Sequence, residues 1–230
     1  MSPRGLFVAG AHTDVGKTHA ACALIRAARA RGLAVEALKP LVSGFDAEDW
    51  EASDPGRLLV ALGRPLTAPE LWAMSPWRFR APLAPPMAAR REGVRLELAP
   101  VAEFCRGRLT ASQADLMLVE GVGGLMSPIA ERATGLDLMT ALGLPTILVG
   151  GSYLGAISHL LTAAEAARAR GLALAALVVS QSADPDAPDF AETLDAVREH
   201  LPHTPLIAAP RAPEYEWAHT LAAAVLAFAA

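Results

Sequence analysis

The sequence contains no asparagine, and of its twenty lysine and arginine residues only Lys17 and Lys39 are lysine. Alanine is abundant and isoleucine scarce, a pattern we attribute to the codon bias of a GC-rich genome. Under that bias a retained lysine marks a place where arginine does not serve, because a compact ammonium and a broad planar guanidinium are not interchangeable. Cysteine is limited to Cys22 and Cys105. Their spacing suits no metal module, so both read as buried thiols in a reducing compartment. No basic run is present and the formal charge is -4, which argues against a nucleic-acid partner. Aromatic residues are few, yet 53% of the chain is hydrophobic, enough for a sizeable core and too much for disorder. No leader-like segment precedes the first apolar run. The stretch from Leu138 to Ser158 lacks charge, but Gly143, Pro145, Gly150, Gly151 and Gly155 interrupt it. It reads as one buried strand, "PTILVG", rather than a membrane span. The expectation is a cytoplasmic protein with no membrane and no nucleic-acid partner.

What is present is an alternation of short apolar runs with longer helical patterns, the sign of a parallel sheet covered on both faces. "LFVAG" leads, followed by a loop and a helix through Arg31 that Gly32 stops at its C-terminal end. "AVEAL" is the second strand, then a polar loop and a helix near Asp54 to Leu62. The segment from Gly63 to Pro100 is proline-rich and irregular, with a short helical run about Ala84 to Arg91, and Pro100 opens the next helix. "DLMLVEG", "PTILVG", "LALAALVVS" and "PLIAAP" complete six strands. No linker, repeat or low-complexity tract divides them. The fold class expected is α/β, a mostly parallel sheet of P-loop NTPase type, in one domain over residues 1–230.

The first strand runs straight into "GAHTDVGKT" and that loop into a helix, the context a phosphate-binding loop requires. Backbone N–H groups and the helix start supply positive potential, Lys17 reaches the outer phosphates, and Thr18 can ligate Mg²⁺. Glycine stands at Gly10, one place earlier than in the common pattern, with Ala11 where glycine is usual. In open α/β sheets chemistry gathers at the carboxyl ends of strands, and two more clusters fall there. "LKPLVSGF" puts Lys39 and Ser43 at the mouth of the second strand. Glu120 ends an apolar strand just before a glycine turn, a position that suits a cation held beside phosphates. Asp54, in "SDPGRLL", reads equally as an ordinary helix N-cap. His159 and His200 fall in helical patterns and read as surface or core fillers, and the acidic residues Asp46, Glu48, Asp49 and Glu51 as a solvated loop.

Taken together, "GAHTDVGKT" at 10–18, "KPLVSG" at 39–44, "SD" at 53–54, "APLAPP" at 81–86, "VEGVGG" at 119–124 and "LGAISHLLTA" at 154–163 resemble the dethiobiotin synthetase family. That family's loop also carries its glycine one residue early. The resemblance covers nearly the whole chain and implies an ATP- and Mg²⁺-dependent ligase of biotin biosynthesis. It would close a cyclic urea from 7,8-diaminononanoate and CO₂ through a carbamate and a mixed anhydride, working as a homodimer. It implies that Lys17, Lys39 and Thr13 serve the reacting groups, and that Thr18, Asp54 and Glu120 hold Mg²⁺. Ser43, Tyr153, Leu154 and Gly155 would contact the diamine, the last three at a helix start that receives its carboxylate. The nucleotide would lie against Asp14, Val15, Gly16 and His19, against Gly121, Val122 and Gly123, and against Ser180, Gln181, Ala208, Ala209 and Pro210. The chain departs from the family pattern at Ala11-His12, Pro86, Ser158 and Ser180-Gln181. The last pair replaces an Asn-Asp that reads adenine. Two other classes stay in view, the first sharing this loop type and the second the fold. Partition and septum-site ATPases carry a signature lysine where this chain has His12, and their membrane-binding members end in a basic helix, whereas "HTLAAAVLAFAA" has no Lys or Arg. Cobyrinate-type amidoligases add a glutaminase domain for which 230 residues leave no room. A non-catalytic nucleotide-binding regulator is the third alternative.

Overall fold

The computed structural model describes residues 4–211 and 215–228. In chain order the elements are β1 (Arg4–Gly10), α1 (Lys17–Ala30), β2 (Val35–Leu38), β3 (Leu41–Ser43), a single 3₁₀ turn at Trp50–Ala52, α2 (Asp54–Leu62), α3 (Ala68–Met74), β4 (Trp77–Phe79), α4 (Pro85–Arg91) and α5 (Leu98–Ala111). They continue with β5 (Leu116–Glu120), β6 (Pro128–Ala130), β7 (Ala133–Thr134), α6 (Gly135–Leu142), β8 (Thr146–Gly151), α7 (Ala156–Ala169), β9 (Leu174–Ser180), α8 (Phe190–His200), β10 (Leu206–Ala209) and α9 (Tyr215–Phe228).

Six strands form one sheet in the order β10-β9-β8-β1-β5-β2, every neighbouring pair parallel. They are the six expected from their apolar runs. Successive side chains alternate between two cores, as the two-residue period of a strand demands. Leu6 and Val8 join the core under α1, α2 and α9, while Phe7 and Ala9 join the one under α5, α6 and α7. All five residues of β5 are buried, which is why the strand reads as a continuous apolar run rather than an alternating one. Within it Leu116 and Leu118 face the α1 core, so by the same period Glu120 faces α1 too. β1 lies between β5 and β8. A loop leaving its carboxyl end therefore opens into the crevice of such a sheet, where ligands collect.

The proline-rich segment is more regular than expected. It holds α3 and β4, and β4 pairs with β3 in a separate two-stranded sheet. Three-residue strands and a helix interrupted by proline chemistry carry too little periodicity to be read in advance. Helix α5 begins at Leu98, not at Pro100; proline is tolerated throughout the first turn, where backbone donors have no intrahelical partner anyway. The uncharged stretch 138–158 divides into the end of α6, the buried strand β8 and the start of α7. Among the described residues no helix is long and apolar enough to cross a membrane. Both cysteines are buried, and burial pushes the Cys105 thiol up to about 12, which leaves it unreactive.

Candidate active site

The loop after β1 is shaped by two glycines. A Cβ on Gly10 would sit 2.8 Å from the His12 carbonyl oxygen and 2.9 Å from Lys17 Cδ. The early glycine is thus the place across which the Lys17 side chain folds back. Gly16, the residue before α1, has φ +89, and a Cβ there would meet Ser180 Oγ at 2.7 Å. Asp14 also adopts a positive φ, 56, a conformation uncommon for residues other than glycine. The usual loop glycine is dispensable at Ala11 because the close approach there is made from the other side, by Gly124. Leu125 N–H donates to the Gly10 carbonyl at 2.7 Å and ties the turn after β5 to the loop.

Four side chains, from α1, α2, β5 and the turn after β2, converge beside this loop. Thr18 Oγ1 donates to Glu120 Oε1 at 2.7 Å, and Lys39 Nζ donates to the same oxygen at 2.5 Å. Lys39 Nζ also lies 2.9 Å from Asp54 Oδ2 and donates to the Gly121 carbonyl at 2.9 Å. Lys39 and Glu120 are each 1% exposed, whereas Asp54 stands at the mouth of the site with its side chain 41% exposed. Burial would push the Lys39 ammonium down, but Glu120 and Asp54 outweigh it and hold it above its ordinary value. Burial likewise pushes the Asp54 carboxyl up, and Lys39 with Thr18 overcomes this to hold it below the usual range. Both groups therefore remain charged. Asp54 is not a helix cap: Ser53 occupies the cap position and Asp54 is the first residue of α2.

Glu120 Oε2 is buried without a hydrogen-bond partner. A lone carboxylate oxygen in that state is unfavourable unless something positive completes it. With the Thr18 hydroxyl on the other Glu120 oxygen and the Asp54 carboxylate across Lys39, the donor set is all oxygen, which fits Mg²⁺, a cation that takes one or two carboxylates and fills its shell from phosphates and water. Among the described residues no cluster of three or more His, Cys, Asp or Glu could hold a metal ion.

Lys17 is buried beside this group, its Nζ 3.4 Å from the His12 carbonyl. Burial, reinforced by the charge of Lys39, lowers its ammonium to about 8. Because the unfolded value is 10.5, charged Lys17 destabilises the fold below about pH 8, and that penalty fades as pH rises toward 10.5. The linkage is worth on the order of 3 kcal/mol. Lys17→Met is therefore expected to raise Tm by several degrees at neutral pH, in thermal melts at constant salt. The advantage should shrink as pH rises from 7 to 9. A variant that melts below wild type would show that Lys17 contributes to folding.

A cleft of about 410 Å³ runs from the loop toward β9 and β10, lined by Asp14, Val15, Gly16, His19, Ser180, Ala209 and Pro210 among others. Seven of the residues expected at the nucleotide thus share one cavity. Ala208 lines a different groove along β10 and α9. Gly121 and Val122 border a small space behind Glu120, and Gly123 packs on Ser127 near Thr13. Gln181 accepts from the Arg211 backbone N–H at 3.1 Å, and Ser180 Oγ is buried without a partner. Tyr153 lines both the cleft and a second, mainly apolar groove that holds Leu154, Gly155 and Ser158. Ser43, whose Oγ is buried and unpartnered, lies on β3 against the 81–86 segment, with Gly44 N–H donating to the Ala81 carbonyl at 3.1 Å. Pro86 is buried in the first turn of α4. Thr13 is exposed at the tip of the loop. His159, read as a filler, stacks on His12 with ring centroids 5.2 Å apart and bonds the Tyr153 hydroxyl at 2.8 Å. That contact, and the presence of Arg57 and Arg211 on the cleft wall, had no signal in sequence spacing.

A family model described as an AAA domain matches residues 4–219. The chain is 59% identical to the ATP-dependent dethiobiotin synthetase BioD of Phenylobacterium zucineum over 96% of its own length and 94% of the relative's. It is 54% identical to the protein of the same name from Caulobacter vibrioides, over 93% and 95%. Among solved structures it is similar to the Pyrococcus furiosus cell division ATPase MinD, with a TM-score of 0.57 at 13% identity over 99% of this chain and 100% of that one, a likeness of fold alone. Identity of this order to BioD proteins along almost the full length of both partners settles the family. The chain belongs to the ATP-dependent dethiobiotin synthetases.

Proposed function

We propose that this chain is an ATP- and Mg²⁺-dependent cyclo-ligase that closes the ureido ring of dethiobiotin from 7,8-diaminononanoate and CO₂, in the cytoplasm and as a homodimer. The observation that carries the reading is the buried Lys39–Glu120–Thr18 group with Asp54 at its mouth and one Glu120 oxygen unpaired.

One amine of the diamine adds to CO₂ and sheds a proton, giving a carbamate. A carbamate oxygen attacks the γ-phosphorus of ATP, the bond to the bridging oxygen breaks, and ADP leaves. The second amine then attacks the carbonyl carbon of the mixed anhydride, loses its proton, and phosphate departs as the ring closes. Transfers of this kind need positioning and charge stabilisation more than covalent help. Lys17 and the backbone N–H groups of Val15, Gly16 and Thr18 hold the phosphates. Thr18, Asp54 and Glu120 hold Mg²⁺, which when bound offsets phosphate charge. Lys39, held by two carboxylates, presents a fixed positive charge to the carbamate and the transferring phosphoryl group, with Thr13 at the reacting centre. Ser43 and the start of α7 at Tyr153, Leu154 and Gly155 orient the diamine. Ser180, Gln181, Ala209 and Pro210 face the base and ribose.

The test is incubation of the pure protein with the diamine, bicarbonate, ATP and Mg²⁺. Dethiobiotin detected by mass, dependent on all four, is the expected result, and ATP hydrolysis indifferent to the diamine would point instead to a regulator or a partition-type ATPase.

Asp54→Asn keeps the start of α2 but removes a charge shared by Lys39 and the cation. Loss of even an outer partner of a metal site typically lowers affinity 10–100-fold, so the Mg²⁺ needed for half-maximal turnover should rise by at least roughly tenfold. The variant should melt within a few degrees of wild type, because Glu120 still pairs Lys39. An unchanged Mg²⁺ titration would remove Asp54 from the cation site.

A further inference from the structure

Most arginines of this chain are spoken for. Arg64 pairs with Glu36 and Glu70, Arg108 with Glu36 and Arg170 with Asp137, while Arg29, Arg31 and Arg106 donate to backbone carbonyls. Arg57 is different. It is exposed, its guanidinium has no partner among the described residues, and it lines the nucleotide cleft with Gly16, His19 and Ser180. Its backbone, by contrast, is fixed. The Arg57 N–H donates to the Ser53 carbonyl at 2.9 Å, and its own carbonyl accepts from Cys22 Sγ of α1 at 3.5 Å. Next to it, a Cβ on Gly56 would lie 2.3 Å from the Glu51 carbonyl oxygen, so the turn before it packs without slack against the 3₁₀ segment. A cation on a rigid base, facing a cleft whose acidic lining is Asp14 alone, matches a polyanion.

From this geometry we infer that Arg57 is a further nucleotide-binding residue, clamping the phosphate chain from the α2 side opposite the loop. The inference rests on the nucleotide reading given above. Arginine suits the role because its planar fork offers paired donors to phosphate oxygens. The clamp also links two parts of the site. Asp54 and Arg57 are three residues apart on α2 and so share a face of that helix. One helix thereby delivers a cation ligand and a phosphate donor together from one rigid base.

The experiment is calorimetric titration of the full chain with MgADP, for wild type, Arg57→Gln and Arg57→Lys, at several salt concentrations. A charge-assisted hydrogen bond to phosphate predicts affinity lower by roughly tenfold or more in Arg57→Gln, with a shallower salt dependence, and an intermediate loss in Arg57→Lys. Melting temperatures of the variants should match wild type, since the guanidinium holds nothing within the fold. Arg57→Gln binding MgADP within twofold of wild type, with the same salt dependence, overturns the inference and leaves the nucleotide reading intact. Equal weakening of adenosine, which has no phosphate, would move Arg57 to the base and overturn the phosphate clamp. Failure of wild-type protein to bind MgADP overturns both readings.

Discussion

Replacing Lys39 by arginine is expected to leave the fold and nucleotide binding in place while lowering kcat by roughly 10²–10³, or about 3–4 kcal/mol, the cost of removing one preorganised charge-stabilising donor. Lys39 is 1% exposed and its ammonium meets Glu120, Asp54 and the Gly121 carbonyl within 2.9 Å. Three acceptors around one nitrogen suit a compact point charge. A guanidinium carries its donors on a plane and must displace at least one of them. Lys17→Arg should behave differently and weaken ATP binding as well as turnover, because its partner phosphates are charged in the ground state. Nucleotide affinity measured beside single-turnover rate separates the two. Turnover within a few-fold of wild type in Lys39→Arg would show that this position does not discriminate between the two cations.

Glu120→Gln is expected to destabilise the apo fold strongly. It removes the closest countercharge from a fully buried ammonium, leaving Lys39 with the half-exposed Asp54. Breaking a buried pair from one side typically costs 3–5 kcal/mol, so chemical denaturation should place Glu120→Gln about 3 kcal/mol below wild type. Turnover should vanish with it, because the variant also loses a charged cation ligand. The double variant Glu120→Gln, Lys39→Met removes both charges and should recover part of the lost stability, with a coupling of more than about 1 kcal/mol in the cycle. Additive losses would mean that the pair is not the source of the effect.

Much of this was legible in the sequence. The six strands of the main sheet announce themselves because a parallel sheet buried on both faces needs unbroken apolar runs. Glu120 stood out as the carboxylate ending such a run, and Lys17 with Lys39 as the only lysines in a chain that otherwise uses arginine. The strand order was not legible, since pairing is set by crossovers and not by local pattern. Nor were β3, β4 and α3, which are too short to show a period. The pairing of Lys39 with both Glu120 and Asp54 depends on side chains 81 positions apart in one case, and Arg57 resembles any other exposed arginine until the cleft is seen. Ser180 and Gln181 mark the opposite limit: the family resemblance showed that an Asn-Asp pair was missing, and the fold shows what stands there, a buried hydroxyl against Gly16 and an amide oxygen already bonded to the Arg211 backbone.

The claim beneath all of these expectations is that this site transfers the γ-phosphoryl group of ATP to a carbamate oxygen and then expels it as the ring closes. One measurement addresses it directly: single turnover with ¹⁸O-labelled bicarbonate, 7,8-diaminononanoate, ATP and Mg²⁺, quenched before label exchanges with water, with dethiobiotin and inorganic phosphate both read by mass. The predicted result is dethiobiotin formed together with phosphate that carries one ¹⁸O, because the oxygen that attacks phosphorus leaves with it. Dethiobiotin accompanied by unlabelled phosphate would contradict the account, since the phosphoryl group would then have passed to water and not to the carbamate.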